Sequence, residues 1–196
     1  TERFYDPGSD VNIYGASDTA TFEVPAALPD TGFAPWKMTM LEEQPVELAY
    51  IDLAEDLIIE IPDFKVKTTI VGVPLVEGEW DLTWLGNKAG WLDGSAYPTW
   101  NGNSAITAHV YDANGKPGPF VSLENLKWGD DVLIHAYGKV YRYEVRSVKT
   151  VLPEDLSVLE HEDLPWLTLI TCEGYDEASD EYARRIVVKA VLVEVK

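Results

Sequence analysis

A chain of 196 residues with 46% apolar side chains and seven tryptophans has the material for one globular domain with a real core, and its composition is not that of a disordered segment. Its formal net charge of −19 disfavours nucleic acid and anionic lipid surfaces as partners; it suits cations such as calcium, although a plainly soluble acidic surface accounts for it as well. No apolar run reaches the roughly 18 residues of a membrane span, and no signal-peptide pattern is visible. The chain starts at Thr1 rather than Met, so any anchor or signal is expected upstream of it.

Residues 1 to 50 read as an extended arm punctuated by proline and glycine, with little periodicity. Phe22, Phe33 and Trp36 are its candidates for packing on a body. Residues 51–196 read as one all-β domain. Leu57 to Ile61 is a strand stopped by Pro62, and Lys65 to Ile70 alternates with period two. Residues 78–103, rich in glycine and tryptophan, are expected to be loops with one short helix. Ser104 to Tyr111 is a strand, Asn114 to Pro119 a turn, and Phe120 to Leu126 a helical turn or two. Asp131 to Tyr137 and Val140 to Val151 form two strands joined at Gly138-Lys139. After an acidic, proline-containing connection at 153–166, strands at 167–171 and 185–195 flank an acidic loop at 173–183. About eight strands with few helices suggest a closed or nearly closed barrel.

The single cysteine, Cys172, has no partner for an intramolecular disulfide, so it is either an inert buried thiol or a reactive one. At a strand's end it would be held on one side and open on the other, which suits a nucleophile. A thiol with a pKa of about 8.5 needs help at neutral pH. His109 can move a proton, and Arg185 can hold a carbonyl or an oxyanion. Together they have the chemistry for acyl transfer through a thioester, but residue types and spacing alone leave the inert reading open.

The wording of these segments adds to this. Thr168-Leu169-Ile170-Thr171-Cys172, followed by an acidic loop and then Arg185-Ile186-Val187-Val188-Lys189-Ala190, resembles the sortase family of bacterial cysteine transpeptidases. Asn103 to Tyr111 resembles the stretch that ends in that family's catalytic histidine, and Val140 to Leu159 its strand and following loop. The resemblance covers roughly residues 57–196. It implies a closed eight-stranded barrel with short helical turns, Cys172 as nucleophile, His109 as general acid/base and Arg185 as the residue that positions substrate and oxyanion. Arg184 stands beside Arg185, and only one of two neighbours on a strand can face the site; Arg185 is preferred because it directly precedes the apolar run. Thr171 lends a donor to the oxyanion or is there for β-propensity. Leu156, Val158 and Leu159 form an apolar wall for a Leu-Pro signal or merely pack their loop down.

By the same resemblance the substrate is an LPxTG-type peptide signal of surface proteins, cut between Thr and Gly, and the acceptor an amine of the cell wall or of a pilin. The implied location is the outer face of a bacterial membrane. A His–Cys hydrolase using water, and a non-catalytic barrel that only binds, are the alternatives. No cofactor is implied. The acids Glu173, Asp176, Glu177, Asp180 and Glu181 could assist calcium, but they lack EF-hand spacing and read first as a solvated loop. No histidine–cysteine pattern makes a zinc site. His135 reads as a strand histidine, and His161 as a solvent-facing one.

Leu28-Pro29-Asp30-Thr31-Gly32 is itself an LPxTG match. A sorting signal stands near a C-terminus before an apolar span and a basic tail, and neither follows here. Three readings stand: a coincidental turn built on Pro29 and Gly32, an arm that occupies the groove in cis or in trans, or a self-processing site.

Overall fold

The computed structural model describes residues 24–54 and 56–196, so Phe22 and the first part of the arm lie outside the described residues. Eight strands close a barrel: β1 (Ile58–Ile61), β2 (Val66–Val73), β5 (Ala89–Leu92), β6 (Gly102–Thr107), β7 (Asp131–Ala136), β8 (Lys139–Val151), β9 (Pro165–Asp176) and β10 (Glu181–Val195). Their order around it is β1-β2-β5-β6-β9-β10-β8-β7, and β7 pairs back onto β1. A two-stranded ribbon, β3 (Leu75–Val76) with β4 (Glu79–Trp80), stands apart. The β2–β5 and β6–β9 pairs are parallel and the other barrel pairs antiparallel. Helical structure among the described residues is limited to short 3-10 turns, at Val46–Leu48, Pro62–Phe64, Leu123–Asn125 and Leu156–Leu159.

Local sequence accounts for the joints. Pro62 cannot continue the β1 ladder, and the chain turns through a 3-10 step with Lys65 in the left-handed region. Tyr137 and Gly138 both take positive φ, as a two-residue hairpin between right-twisting strands requires. The short helix expected within 78–103 is absent; that stretch holds β4, β5 and irregular turns instead.

Two apolar layers follow from period-two alternation. Leu167 and Leu169 of β9 and Ile186 and Val188 of β10 face the barrel interior with Ile59, Ile106, Ile134 and Tyr143. Ile170 and Val187, one residue out of phase, face outward into a second cluster with Val73, Leu82, Leu92, Val158 and Leu28 of the arm. The outer face of β9 and β10 is therefore covered rather than exposed, and this is the face that carries Cys172.

Candidate active site

Cys172 lies within β9, not at its end, because β9 and β10 run on as a two-stranded ribbon to Asp176 and Glu181. The opening expected beside the thiol comes from the other neighbour. β6 pairs with β9 only as far as Thr107 opposite Ile170, so beyond that point β9 has lost its partner on one side. Cys172 is paired directly with Arg185 across the antiparallel β9–β10 ladder. Directly opposed residues share a face, which puts the thiol and the guanidinium side by side. Arg184, paired with Glu173, takes the opposite face and makes an exposed ion pair with Glu173 through Nε at 2.8 Å.

His109 stands two residues beyond β6, on the segment that leaves the barrel. That segment is pinned on both sides. Thr171 Oγ1 donates to the Ala108 carbonyl at 3.0 Å, and the Phe120 amide donates to the His109 carbonyl at 3.2 Å. Gly118 packs so closely that a β-carbon there would come within 2.2 Å of the His109 carbonyl oxygen. His109 is 2% exposed, and neither ring nitrogen makes a well-formed hydrogen bond among the described residues, although the Thr31 and Leu82 carbonyls lie near the ring. Phe33 lies against the ring with centroids 5.2 Å apart.

The groove between these residues is filled by the chain's own arm. The Leu28 amide donates to the Pro153 carbonyl at 2.7 Å, and Arg185 Nε donates to the Pro29 carbonyl at 2.8 Å. The Thr31 amide donates to Cys172 Sγ at 3.1 Å, while the Cys172 amide donates to Thr31 Oγ1 at 2.8 Å. Cys172 Sγ in turn donates to Asp30 Oδ1 at 3.0 Å. The Val110 amide holds the Thr31 carbonyl, and the Phe33 amide reaches the Tyr111 carbonyl. Tyr182 Oη closes the far side on the Phe33 carbonyl at 2.8 Å. Leu28 and Thr31 are both buried, so the LPDTG segment is not a free surface turn. An open pocket of about 400 Å³ remains beside it, lined by Asp30, Glu79, Asp81, His109 and Arg185 among others.

Burial dominates the protonation of the site. Desolvation, then the Asp30 carboxylate, push the Cys172 thiol up to about 12, against the opposing pull of Arg185 and of Thr31's hydrogen bonds. Desolvation lowers His109 as well; the carbonyls of Thr31 and Leu82 and the charges of Asp30 and Asp112 favour the protonated ring but do not offset it. With the arm in place both shifts favour a neutral thiol and a neutral imidazole.

The remaining residues singled out in the sequence divide. Thr171 spends its hydroxyl proton on Ala108 and lies 3.4 Å from Thr31 Oγ1, so it meets the arm's threonine side chain. Val158, with Leu156 and Leu159 around it, packs in the cluster that holds Leu28. His135 accepts or donates at 2.8 Å with Glu60 on the neighbouring strand, and His161 is exposed. Glu173 is engaged with Arg184, Asp176 accepts from the Ala178 amide, and Asp180 accepts from Tyr175. No three His, Cys, Asp or Glu side chains converge on a metal position among the described residues. Sequence reasoning missed Tyr182 and Val110, whose contribution arises from the arm's path and leaves no local signal.

The comparisons agree with this architecture. A family model described as the sortase domain matches residues 59–193. The lid mutant of sortase A from Corynebacterium diphtheriae is 30% identical over 78% of this chain and 73% of its own, with a TM-score of 0.59. Sortase A from the same organism is 31% identical over 71% of this chain and 60% of its own, also at 0.59. Sortase C from Clostridium perfringens, solved with the C-terminal cell wall sorting motif, shares the fold at 24% identity, covering 78% of this chain and 77% of its own, with a TM-score of 0.60. No curated protein matches the chain significantly. With its barrel, its TLITC strand and a family match over most of its length, the chain belongs to the sortase family.

Proposed function

We propose that the chain is a cysteine transpeptidase that cleaves LPxTG-type signals between Thr and Gly and passes the acyl group to an amine of the cell envelope. The observation that carries this reading is the seating of the chain's own LPDTG segment against Cys172, with Leu28 in the outer apolar cluster and Arg185 on the Pro29 carbonyl. An external signal would occupy the same groove after the arm leaves it. Cys172 gives its proton to His109 and bonds through Sγ to the Thr carbonyl carbon. Arg185 holds the developing oxyanion. The Thr–Gly bond then breaks as His109 returns the proton to the glycine nitrogen, leaving a thioester. An incoming amine, deprotonated by His109, attacks the thioester and expels the thiol. The amine is a cell-wall or pilin amine in this reading, and the enzyme works on the outer surface of the membrane.

The test is to incubate the full chain with a high concentration of an LPATG peptide, with and without a glycine-type amine. The expected result is peptide cleavage after Thr, a joined product when amine is present, and loss of both in Cys172→Ala. Cleavage that yields only the free acid at saturating amine makes the chain a hydrolase. Undiminished cleavage by Cys172→Ala removes the reading altogether.

A further inference from the structure

Asn103 is a buried polar side chain close to the site that the proposed reaction does not use. It is 2% exposed and stands on β6 in phase with Ala105, which belongs to the outer apolar cluster. Thr168, fully buried, stands on β9 in phase with Ile170 of the same cluster and with Cys172. The two side chains meet on this face, where Thr168 Oγ1 donates to Asn103 Oδ1 at 2.6 Å. The other end of the amide reaches out of the barrel. Asn103 Nδ2 donates to the Val158 carbonyl at 2.9 Å and to the Glu160 carbonyl at 3.0 Å. Carbonyls only accept, so the amide has one orientation that suits all three partners at once.

Those carbonyls end the 3-10 turn Leu156–Leu159 and its cap. Asp155 caps the start of the turn, accepting from the Ser157 amide at 3.3 Å and the Ser157 hydroxyl at 2.6 Å. Asn103 takes the other end, where so short a turn leaves its last carbonyls without helical partners. The ion pair of Lys189 with Glu162 ties the loop further on, in a partly exposed position. Leu156, Val158 and Leu159 pack in the cluster that holds Leu28. We propose that Asn103 is a positioning residue for the leucine of the signal: it fixes the height of the wall made by Leu156, Val158 and Leu159, and thereby the preference for leucine at the first position of the motif. The inference rests on the proposed function, with Leu28 marking where a signal's leucine sits. Without the amide the buried Val158 carbonyl loses this donor and the Thr168 hydroxyl its acceptor, and the turn lifts toward water to satisfy them. The wall then draws away from the leucine. Cys172 and Arg185 stay paired across the β9–β10 ladder, and the segment of His109 stays pinned by Thr171 and Phe120. Asn103 therefore acts on selection and not on the chemical step.

The experiment measures kcat/KM for LPATG and APATG peptides with the full chain and with Asn103→Ala, Thr168→Val and Thr168→Ser. It also follows hydrogen exchange at the Glu160 amide, which bonds back to the Ser157 carbonyl across the turn. The arm competes equally with both peptides, so their ratio is independent of it. The parent is expected to prefer LPATG by on the order of 50-fold, the worth of three buried carbons. Asn103→Ala should bring that ratio below about tenfold, chiefly through KM, with exchange at Glu160 faster by on the order of tenfold. Thr168→Val removes the hydroxyl that orients Asn103 and should fall between the two, whereas Thr168→Ser keeps the hydroxyl and should stay with the parent. A smaller fraction of folded enzyme would slow both peptides alike and leave the ratio unmoved. A parental ratio in Asn103→Ala therefore overturns the inference, as does parental exchange at Glu160 or a parent that takes both peptides equally; the transpeptidase reading survives each of these. If the parent cleaves neither peptide, that reading fails and the inference falls with it.

Discussion

Thr31 and Cys172 hold each other twice. The Thr31 amide donates to Sγ at 3.1 Å and the Cys172 amide donates back to Thr31 Oγ1 at 2.8 Å, with Thr31 fully buried. Thr31→Val keeps the shape and removes the hydroxyl, leaving a buried amide without its acceptor. Such an orphan costs about 1–3 kcal/mol, which is roughly 5- to 150-fold in the fraction of molecules with the arm undocked. Hydrogen exchange at the Val110 and Phe33 amides reads this directly, since both bond across the arm. Faster exchange there with unchanged protection in β8 is the expected result. Unchanged exchange at Val110 would show that the pair does not hold the arm.

Gly32 is a second anchor, of steric origin. A β-carbon at this position would lie 2.6 Å from Val110 Cγ1 and 2.7 Å from Tyr182 Cε2. Tyr182 cannot simply swing aside, because its hydroxyl is engaged with the Phe33 carbonyl. Overpacking of this kind costs about 1–3 kcal/mol. Gly32→Ala should therefore loosen the arm while sparing the barrel, and the Gly32→Ala/Val110→Ala pair should restore only part of the docking, because the contact with Tyr182 remains. Thiol alkylation rates in the single and double variants measure it. Equal rates in the parent and Gly32→Ala would mean that the arm tolerates the methyl group.

Much of the fold was legible because the strands carry their own signals. The alternation in β8, the β-branched run of β10 and the Pro62 stop each follow from local chemistry, and the wording of three segments, Thr168–Cys172, Asn103–Tyr111 and Arg185–Ala190, pointed to Cys172, His109 and Arg185. What was not legible depends on neighbours. The sequence around Cys172 reads as a strand's end because the acidic residues after it lower β-propensity, yet pairing with β10 carries β9 on to Asp176. The helix expected near 78–103 is missing because its tryptophans pack individually, Trp80 on Asp93 and Trp91 on Ala96 through their indole N–H groups, rather than along a helical stripe. The contact of Asp30 with the thiol joins residues 142 positions apart, and no local pattern could have announced it.

The two adjacent arginines give opposite expectations. Arg185 is 5% exposed and donates to three carbonyls, whereas Arg184 is exposed and, among the described residues, its guanidinium pairs only with Glu173. Arg184→Ala should change stability by no more than about 0.5 kcal/mol and leave peptide cleavage intact. Arg185→Ala should lower cleavage by about 100-fold or more, the usual cost of removing an oxyanion donor. Arg185→Lys should not rescue it, since a point charge lacks the fork that reaches several carbonyls. Peptide-cleavage rates for the three variants decide the matter, and a dead Arg184→Ala with an active Arg185→Ala would reverse the assignment.

The pH dependence of the thiol separates the docked from the undocked arm. Burial and the Asp30 charge raise Cys172 to about 12, and only the thiolate reacts with alkylating reagents. At pH 8 the docked form would then hold about one thiolate in ten thousand, against roughly a quarter for an ordinary thiol near 8.5. The sign is fixed by the direction of the shift: a raised thiol pKa suppresses reactivity at neutral pH and releases it only as pH climbs. The parent's alkylation rate should therefore still be rising at pH 10. In Gly32→Ala, where the arm is loosened, Asp30 withdraws and water reaches the sulfur, so the profile should bend toward a plateau at lower pH. Iodoacetamide modification followed by mass from pH 6 to 10.5 gives both curves. A parent profile that already plateaus near pH 9 would mean that the arm neither buries the thiol in solution nor holds its proton.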